Sequence, residues 1–289
     1  MSRFALGSVQ FGLEYGIANE SGRVGAEEVR RILSEASEFG IDLLDTAIGY
    51  GESESVLGQV GVKAWKVVSK LPAVPDECTD VASWVEAQVA GSIDRLGVDS
   101  LYALLLHRPD QLFQKNGTQL FSALKRVKLS GSVEKIGISI YEPDQLARIF
   151  DGMHFDIVQA PLNILDRRIV ETGWAERLKK NDVELHARSV FLQGLLLMTG
   201  SKRPPYFARW KQLLDEWDRW LNEEGYTPIQ ACLNYAHSVE TVDKIVVGVD
   251  SVVQLREILA CTSTSLKSLP NWPQVIDIEL LNPAWWRKI

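Results

Sequence analysis

The sequence has no long apolar run, little cysteine and no excess of basic residues. None of its apolar segments approaches the ~20 residues needed to span a bilayer, and the N-terminal MSRFALGSVQFG lacks the apolar core of a secretory signal. The three cysteines, Cys78, Cys232 and Cys261, are widely spaced and predict no disulfide framework. A formal net charge of −7 and a pI near 5.3 argue against a nucleic-acid-binding surface. We therefore expect a cytoplasmic protein that binds neither membrane nor nucleic acid.

Two further motifs are absent. No G-x-G-x-x-G follows the first apolar segment, which weighs against a doubly wound sheet, and no short repeat or low-complexity segment interrupts the chain. His154, His186 and His237 have no metal-ligand spacing, so no metal site is predicted.

The chain instead alternates short apolar runs with amphipathic segments over most of its 289 residues. Such alternation is typical of right-handed βαβ units, and eight of them close a (β/α)₈ barrel, a fold that often runs near ~250 residues. We predict one domain over 1–289, with 262–289 as a C-terminal tail packed on the barrel. The predicted strands are 4–8, 41–44, 66–69, 101–106, 133–138, 156–159, 183–188 and 244–247. The predicted helices are 29–39, 53–60, 80–96, 118–129, 143–151, 166–180, 208–223, 227–237 and 251–260.

Polar side chains follow three successive predicted strands. Asp45 ends the second strand, and Tyr50 lies on the glycine-flanked loop after it; Lys70 and His107 end the third and fourth strands. Because adjacent parallel strands lie ~4.8 Å apart, these groups are expected to converge at the C-terminal edge of the sheet. Lys70 beside the phenol would favour its ionised form, and Asp45 would keep Lys70 charged, so this grouping predicts an acid–base site.

These four residues, with LLDTAIGYGESE, VVSKLP and LLLHRP around them, resemble the catalytic tetrad of the aldo-keto reductase family. The resemblance runs from Gly7 to about Glu257. It implies an oxidoreductase that reduces an aldehyde or ketone, such as a sugar derivative. In that family the tyrosine donates a proton to the carbonyl oxygen while a nicotinamide nucleotide delivers hydride to the carbon.

The resemblance also implies a cofactor site along the ends of strands one, five, six, seven and eight. Ser139 and Gln159 would hold the carboxamide, and the segment after strand eight would hold the adenosine phosphate. Ile140 and Ile258 stand where the family often has asparagine, which removes two expected polar contacts. The implied cofactor residues are Gly7, Ser8, Val9, Ser139, Gln159, Arg188, Ser189, Leu192, Gln193, Gly248, Asp250, Ser251 and Gln254.

Two positions depart from the family pattern in charge. Arg188 stands where an aromatic residue usually stacks on the nicotinamide. Its guanidinium can stack flat on a ring, and its fixed charge either steers an acidic substrate or pairs with a neighbour such as Glu184. Asp250 stands where the family has a basic residue for the 2′-phosphate of NADP(H), while Ser251 and Arg256 are left as donors. The resemblance places NADP(H) first with NAD(H) as the alternative, and Asp250 predicts weak discrimination between them.

The sequence leaves two other functions open. One is a barrel lyase or aldolase in which Lys70 forms a Schiff base with a carbonyl substrate. The other is a nucleotide-sensing binding protein with little turnover. In each case the partner is a small molecule, and we expect a monomer or weak homo-oligomer.

Overall fold

Eight parallel strands close on themselves in the described part of the chain, which comprises residues 2–19, 22–261, 266, 268–270, 272 and 277–286 of a computed structural model. The strands pair in sequence order, and β1 closes the barrel by pairing with β8. The predicted (β/α)₈ barrel is therefore confirmed. The strands are β1 (Phe4–Gly7), β2 (Leu43–Asp45), β3 (Lys66–Leu71), β4 (Leu101–Leu106), β5 (Val133–Ser139), β6 (Ile157–Pro161), β7 (Glu184–Arg188) and β8 (Lys244–Gly248).

Helices surround the barrel and follow the predicted order. The single helix predicted over 166–180 is wrong, because Gly173 adopts a left-handed φ of 77° and separates two shorter helices. A one-turn helix directly after β1 was also not predicted. The α-helices are α1 (Val9–Gly12), α2 (Ala26–Glu38), α3 (Ser53–Val60), α4 (Val81–Leu96), α5 (Gly117–Leu129), α6 (Asp144–Ile149), α7 (Arg168–Glu171), α8 (Trp174–Lys180), α9 (Lys211–Glu224), α10 (Pro228–Ser238), α11 (Val252–Ala260) and α12 (Ile278–Leu281).

The interior of the barrel explains which side chains reach its C-terminal end. A small apolar cluster, separate from the larger core between strands and helices, includes Leu43, Val68, Leu105 and Ile157. Side chains on one face of a strand repeat every two residues. The residues two positions beyond these four are Asp45, Lys70, His107 and Gln159, so the same alternation that fills the barrel delivers polar groups to its mouth.

A polar network lies near the N-terminal ends of the strands, away from that mouth. Glu184 accepts hydrogen bonds from Tyr102 and Lys135, and the His186 ring nitrogen lies 3.1 Å from its carboxylate. Burial alone would raise the pKa of Glu184, but the hydrogen bonds from His186 and Lys135 outweigh it and lower that pKa to about 2. Such a paired carboxylate stabilises the folded barrel at neutral pH.

The C-terminal tail contributes to the packing where it is described. Leu280 and Leu281 of α12 are buried, and Trp286 packs edge-on against Phe207 with ring centroids 4.9 Å apart. The remainder of the predicted tail, residues 262–265, 267, 271, 273–276 and 287–289, lies outside the described residues. Among the described helices, none combines the length and apolar character needed to cross a membrane.

Candidate active site

A cavity of about 560 Å³ opens at the C-terminal ends of the strands. This volume falls within the range typical of small-molecule sites. One end of its lining carries Tyr50 and His107, and the other carries Asp250, Gln254 and Glu257 of the β8–α11 segment. The cavity therefore extends from the ends of β2 and β4 to the first turns of α11.

Close contact between two glycines fixes the loop that carries Tyr50. A side-chain carbon added at Gly12 would lie 1.9 Å from the Tyr50 carbonyl oxygen, and one added at Gly51 would lie 2.7 Å from the Gly12 carbonyl oxygen. Gly51 also has a φ of 54°, in the region that favours glycine. The Tyr50 carbonyl accepts a hydrogen bond from the Ser53 amide at the start of α3. The phenol is thus presented by a tight turn wedged against α1.

Asp45, which lines the cavity, forms a buried ion pair with Lys70 behind it. Lys70 Nζ donates to Asp45 Oδ2 at 2.6 Å and to the Thr46 carbonyl at 2.8 Å. The same ammonium lies 4.9 Å from the centre of the Tyr50 ring. Burial alone would lower the pKa of Lys70, but the Asp45 carboxylate and the Tyr50 phenol outweigh it and raise that pKa. The lysine therefore stays charged next to the phenol, as the sequence predicted.

A hydrogen-bonded chain extends this pair across the barrel mouth. Gln159 Nε2 donates to the other Asp45 oxygen, Oδ1, at 2.6 Å, and Ser139 Oγ donates to Gln159 Oε1 at 3.3 Å. Both residues line the cavity, and Gln159 links Ser139 to Asp45. This chain positions the carboxylate that holds Lys70.

His107 completes the polar end of the cavity. Its ring meets the Tyr50 ring nearly edge-on, with centroids 5.9 Å apart and planes at 78°. Burial, followed by the positive charges of Lys70 and Arg188, lowers the pKa of His107 to about 4. The imidazole is consequently neutral at pH 7, with one ring nitrogen that donates a hydrogen bond and one that accepts.

Arg188 lines the cavity and does not pair with Glu184. The two residues stand at opposite ends of β7, and Glu184 is bonded to Lys135, Tyr102 and His186 instead. Four steps along the strand separate them, roughly 13 Å at ~3.3 Å per step, which is too far for a salt bridge. Arg188 stacks on Tyr141, with its guanidinium carbon 4.5 Å from the ring centre.

The loop after β7 contains strained backbone. Ser189, Leu192 and Gln193 have φ angles of 60°, 48° and 53°, which non-glycine residues seldom adopt. The Gln193 carbonyl accepts from the Ile17 amide, and Gln193 Nε2 donates to the Tyr15 hydroxyl, so the α1–α2 loop reaches over to this segment. Strain of this kind clusters at ligand-binding sites.

Acidic and neutral groups surround the start of α11. The Asp250 amide donates to Gln254 Oε1, and the Gln254 amide donates to Ser251 Oγ. Glu28 of α2 accepts from the Val252 amide at 2.8 Å, which places a carboxylate on the first turn of α11. Burial raises the pKa of Asp250, and Arg256, a candidate phosphate donor, is paired with Glu35 at 2.8 Å.

Most of the cofactor residues implied by the resemblance line this one cavity. Leu192 does not line it, because its side chain is buried in the core, and Ser251 does not, because it caps α11. Of the four predicted catalytic residues, Lys70 does not line the cavity and lies behind Asp45. Ser8 is fully buried, and its hydroxyl lies 2.8 Å from that of Ser53. The residues that do line the cavity are Gly7, Ser8, Val9, Ser139, Gln159, Arg188, Ser189, Gln193, Gly248, Asp250 and Gln254.

Gln10 is a further lining residue that the sequence analysis did not select. Its Oε1 atom is buried and has no hydrogen-bond partner among the described residues, and a side-chain carbon added at Gly248 would lie 2.5 Å from its Nε2. Its position immediately after Val9 was the available signal. An unsatisfied amide oxygen beside a glycine that leaves room fits a polar ligand in this part of the cavity.

Comparison with known proteins agrees with this geometry. The Aldo/keto reductase family model matches residues 3–269. A D-threo-aldose 1-dehydrogenase of a Pseudomonas species is 30% identical over 243 residues, 72% of this chain and 74% of that protein. An oxidoreductase of Leptosphaeria maculans is 29% identical over 65% of this chain and 59% of its own length. An NADH-specific methylglyoxal reductase of Escherichia coli is 27% identical over 57% of each chain.

Solved structures show the same fold. An aldo-keto reductase from Bacillus halodurans, in its holo form, superposes with a TM-score of 0.71 at 21% identity and covers 92% of this chain and 88% of its own. A glycerol dehydrogenase from Gluconobacter oxydans gives 0.67 at 19% identity over the same shares of the two chains. With barrel, strand-end residues and family match in agreement, the chain belongs to the aldo/keto reductase family of oxidoreductases, whose members generally use nicotinamide cofactors.

Proposed function

We propose that this protein reduces an aldehyde or ketone with a nicotinamide nucleotide, and that Tyr50 is the general acid. The observation that carries the proposal is the arrangement of three groups: a phenol on the cavity wall, a buried ammonium 4.9 Å from its ring, and a neutral imidazole edge-on to it. When bound, the nicotinamide nucleotide supplies the hydride. The carbonyl carbon accepts that hydride, and the carbonyl oxygen accepts the proton from the Tyr50 hydroxyl.

The neighbouring residues support that proton transfer. As the phenol gives up its proton, the Lys70 ammonium stabilises the phenolate, and Asp45 holds the ammonium in place. His107 orients the carbonyl oxygen by a hydrogen bond, which a neutral imidazole provides without competing for the proton. In the oxidation direction the phenolate accepts the proton from the alcohol.

The substrate is a small carbonyl compound, and a sugar derivative is one candidate. The name of the Pseudomonas relative, an aldose dehydrogenase, favours that candidate. A Schiff-base mechanism is disfavoured because Lys70 is 1% exposed, charged and already bonded to Asp45 and Thr46. A neutral, accessible amine is what that chemistry needs.

Substitution of Tyr50 tests the proposal. Tyr50→Phe keeps the ring and removes the proton donor, so kcat should fall by at least ~10²-fold. Cofactor affinity, measured by quenching of tryptophan fluorescence, should stay within about twofold. Tyr206→Phe removes a hydroxyl outside the cavity and serves as the control. Wild-type turnover by the Tyr50→Phe variant, with cofactor bound normally, would eliminate Tyr50 as the acid.

For the coenzyme, we propose that NAD(H) is used about as well as NADP(H). A 2′-phosphate at the start of α11 would meet the carboxylates of Asp250 and Glu28, while the cation of Arg256 is held by Glu35. Partly solvated charges of this kind contribute about 1 kcal/mol each rather than a prohibitive repulsion. Discrimination should therefore be weak.

Steady-state kinetics with both coenzymes on one substrate decide this point. We expect a ratio of kcat/KM for NADPH over NADH far below ~10³, the preference that about 4 kcal/mol of phosphate binding would produce. Asp250→Ser should shift the ratio toward NADPH by roughly fivefold, about 1 kcal/mol. Asp99→Ser, at an exposed carboxylate paired with Lys63, is the control. A strong NADPH preference, or a ratio unmoved by Asp250→Ser, would contradict the proposal.

A further inference from the structure

The Arg188 guanidinium lies at the end of the cavity that carries Tyr50 and His107, and no carboxylate of the described residues neutralises it. Arg188 donates to the Ser189 hydroxyl at 3.1 Å and to the Ile140 carbonyl at 2.9 Å, and no described acidic residue forms a salt bridge with it. Arginine has five N–H hydrogens, so three of them lack a protein acceptor among the described residues. The Asp45 carboxylate, which also lines the cavity, does not serve as the counter-ion of this guanidinium, because Asp45 is bonded to Lys70 and Gln159.

Other partly buried arginines of this protein are satisfied differently. Arg168 contacts the Asp166 carboxylate at 2.7 Å. Arg3 donates to the backbone carbonyls of three residues between 237 and 242. Arg188 uses two of its five donors and lines the cavity, so a ligand there can supply further acceptors.

The orientation of Arg188 is set in advance. One face of the guanidinium rests on the Tyr141 ring at 4.5 Å, and one edge is held by the Ile140 carbonyl. A planar cation fixed in this way suits a carboxylate, which it can bind with two parallel hydrogen bonds. Its charge is also close enough to contribute to the lowered pKa of His107.

We propose that Arg188 binds the carboxylate of the substrate, so that the preferred substrates are aldehydes or ketones carrying an anionic group. This inference rests on the proposed carbonyl reduction and adds the chemical class of the substrate to it. The cofactor is the other possible source of an anion, and the experiment separates the two.

A matched substrate pair provides the kinetic test. The kcat/KM for 4-carboxybenzaldehyde is compared with that for its neutral methyl ester in wild type, Arg188→Gln and Arg188→Lys. Charge-assisted hydrogen bonds contribute about 1.5–3 kcal/mol, so Arg188→Gln should lower the acid-to-ester ratio roughly 10- to 10²-fold. Arg188→Lys keeps the charge and should restore part of the ratio. Comparison of ratios removes the difference in intrinsic reactivity between the two aldehydes.

A binding measurement accompanies the kinetics. Benzoate, which is not reduced, is titrated calorimetrically into the cofactor-saturated enzyme, and Arg188→Gln should weaken its affinity by a similar factor. The control is Arg177→Gln, because Arg177 stacks on Trp174 at 4.4 Å just as Arg188 stacks on Tyr141, but on the outer face of α8. The control should leave both the ratio and the benzoate affinity unchanged.

The outcomes separate this inference from the proposed function. If both aldehydes are reduced but the ratio and benzoate affinity do not respond to Arg188→Gln, the anion site is overturned and carbonyl reduction stands. If the ratio is unchanged while affinity for the cofactor falls, Arg188 serves the cofactor and the inference is likewise overturned. If wild type reduces neither aldehyde but binds benzoate through Arg188, the anion site stands and the proposed reaction fails.

Discussion

Replacing Lys70 by methionine removes the charge that neutralises Asp45 while retaining most of the side-chain volume. Lys70 is 1% exposed, and its ammonium lies 2.6 Å from Asp45 Oδ2. After the change, the Gln159 amide, at 2.6 Å, is the one side-chain donor that the described residues still offer the Asp45 carboxylate. A buried carboxylate that loses its counter-ion destabilises a protein by about 3–5 kcal/mol, so the free energy of unfolding at pH 7 should fall by roughly that amount.

Proton uptake limits this loss and makes it depend on pH. Protonating a carboxyl group with the ordinary aspartate value of ~3.9 costs about 4 kcal/mol at pH 7 and about 1.5 kcal/mol at pH 5. The variant will take up this proton whenever leaving the carboxylate charged and unpaired would cost more free energy. The difference in unfolding free energy between wild type and Lys70→Met should therefore shrink to about 1.5 kcal/mol at pH 5.

Urea denaturation at the two pH values, followed by tryptophan fluorescence, measures both quantities. Lys66→Met is the matched control on the same strand, because Lys66 is 43% exposed where it pairs with Asp42 at 3.0 Å. An exposed pair of this kind contributes less than about 1 kcal/mol. A Lys70→Met loss no larger than that of the control, or a larger loss that is equal at both pH values, would refute the charge argument.

Three other expectations follow from the geometry. Gly12→Ala should displace the Tyr50 turn and lower kcat at least about tenfold. Gly49→Ala, whose added carbon meets no atom within 4 Å, should leave kcat unchanged. Equal kcat values for the two variants would contradict the role of the contact between Gly12 and the Tyr50 turn. In NMR titration the His107 ring should stay neutral until about pH 4, as its lowered pKa requires, and a midpoint near 6.5 would show that the site is more hydrated than described. Because the folded-state pKa of Glu184 is about 2, its contribution of about 3 kcal/mol is complete above pH 4.5 and lost as pH falls toward 2, so Glu184→Gln should flatten that part of the stability profile.

The barrel and the residues at its strand ends could be predicted because both depend on local periodicity. Apolar runs alternating with helical segments define the strands, and the two-residue repeat places Asp45, Lys70 and His107 beyond interior positions. Boundaries were less accurate where one residue decides the conformation. Gly173 divides the helix predicted over 166–180, and β2 begins two residues later than expected, at Leu43.

Pairing between distant side chains was beyond the reach of sequence patterns. Gln159 meets Asp45 across 114 positions of chain, and Glu28 reaches the Val252 amide across 224. The predicted alternative of an Arg188–Glu184 pair is wrong for a local reason, because strand β7 holds the two residues at opposite ends.

The sequence by itself determined which polar groups stand at the mouth of the barrel, since strand periodicity and turn glycines act within a few residues. Only the tertiary structure decided which of those groups are neutralised and which remain available to a ligand. Closure of eight strands sets the distances among Asp45, Lys70, Gln159 and Arg188. Hydrogen bonds and ion pairs fall off within a few ångströms, so partners are chosen by those distances and not by order along the chain.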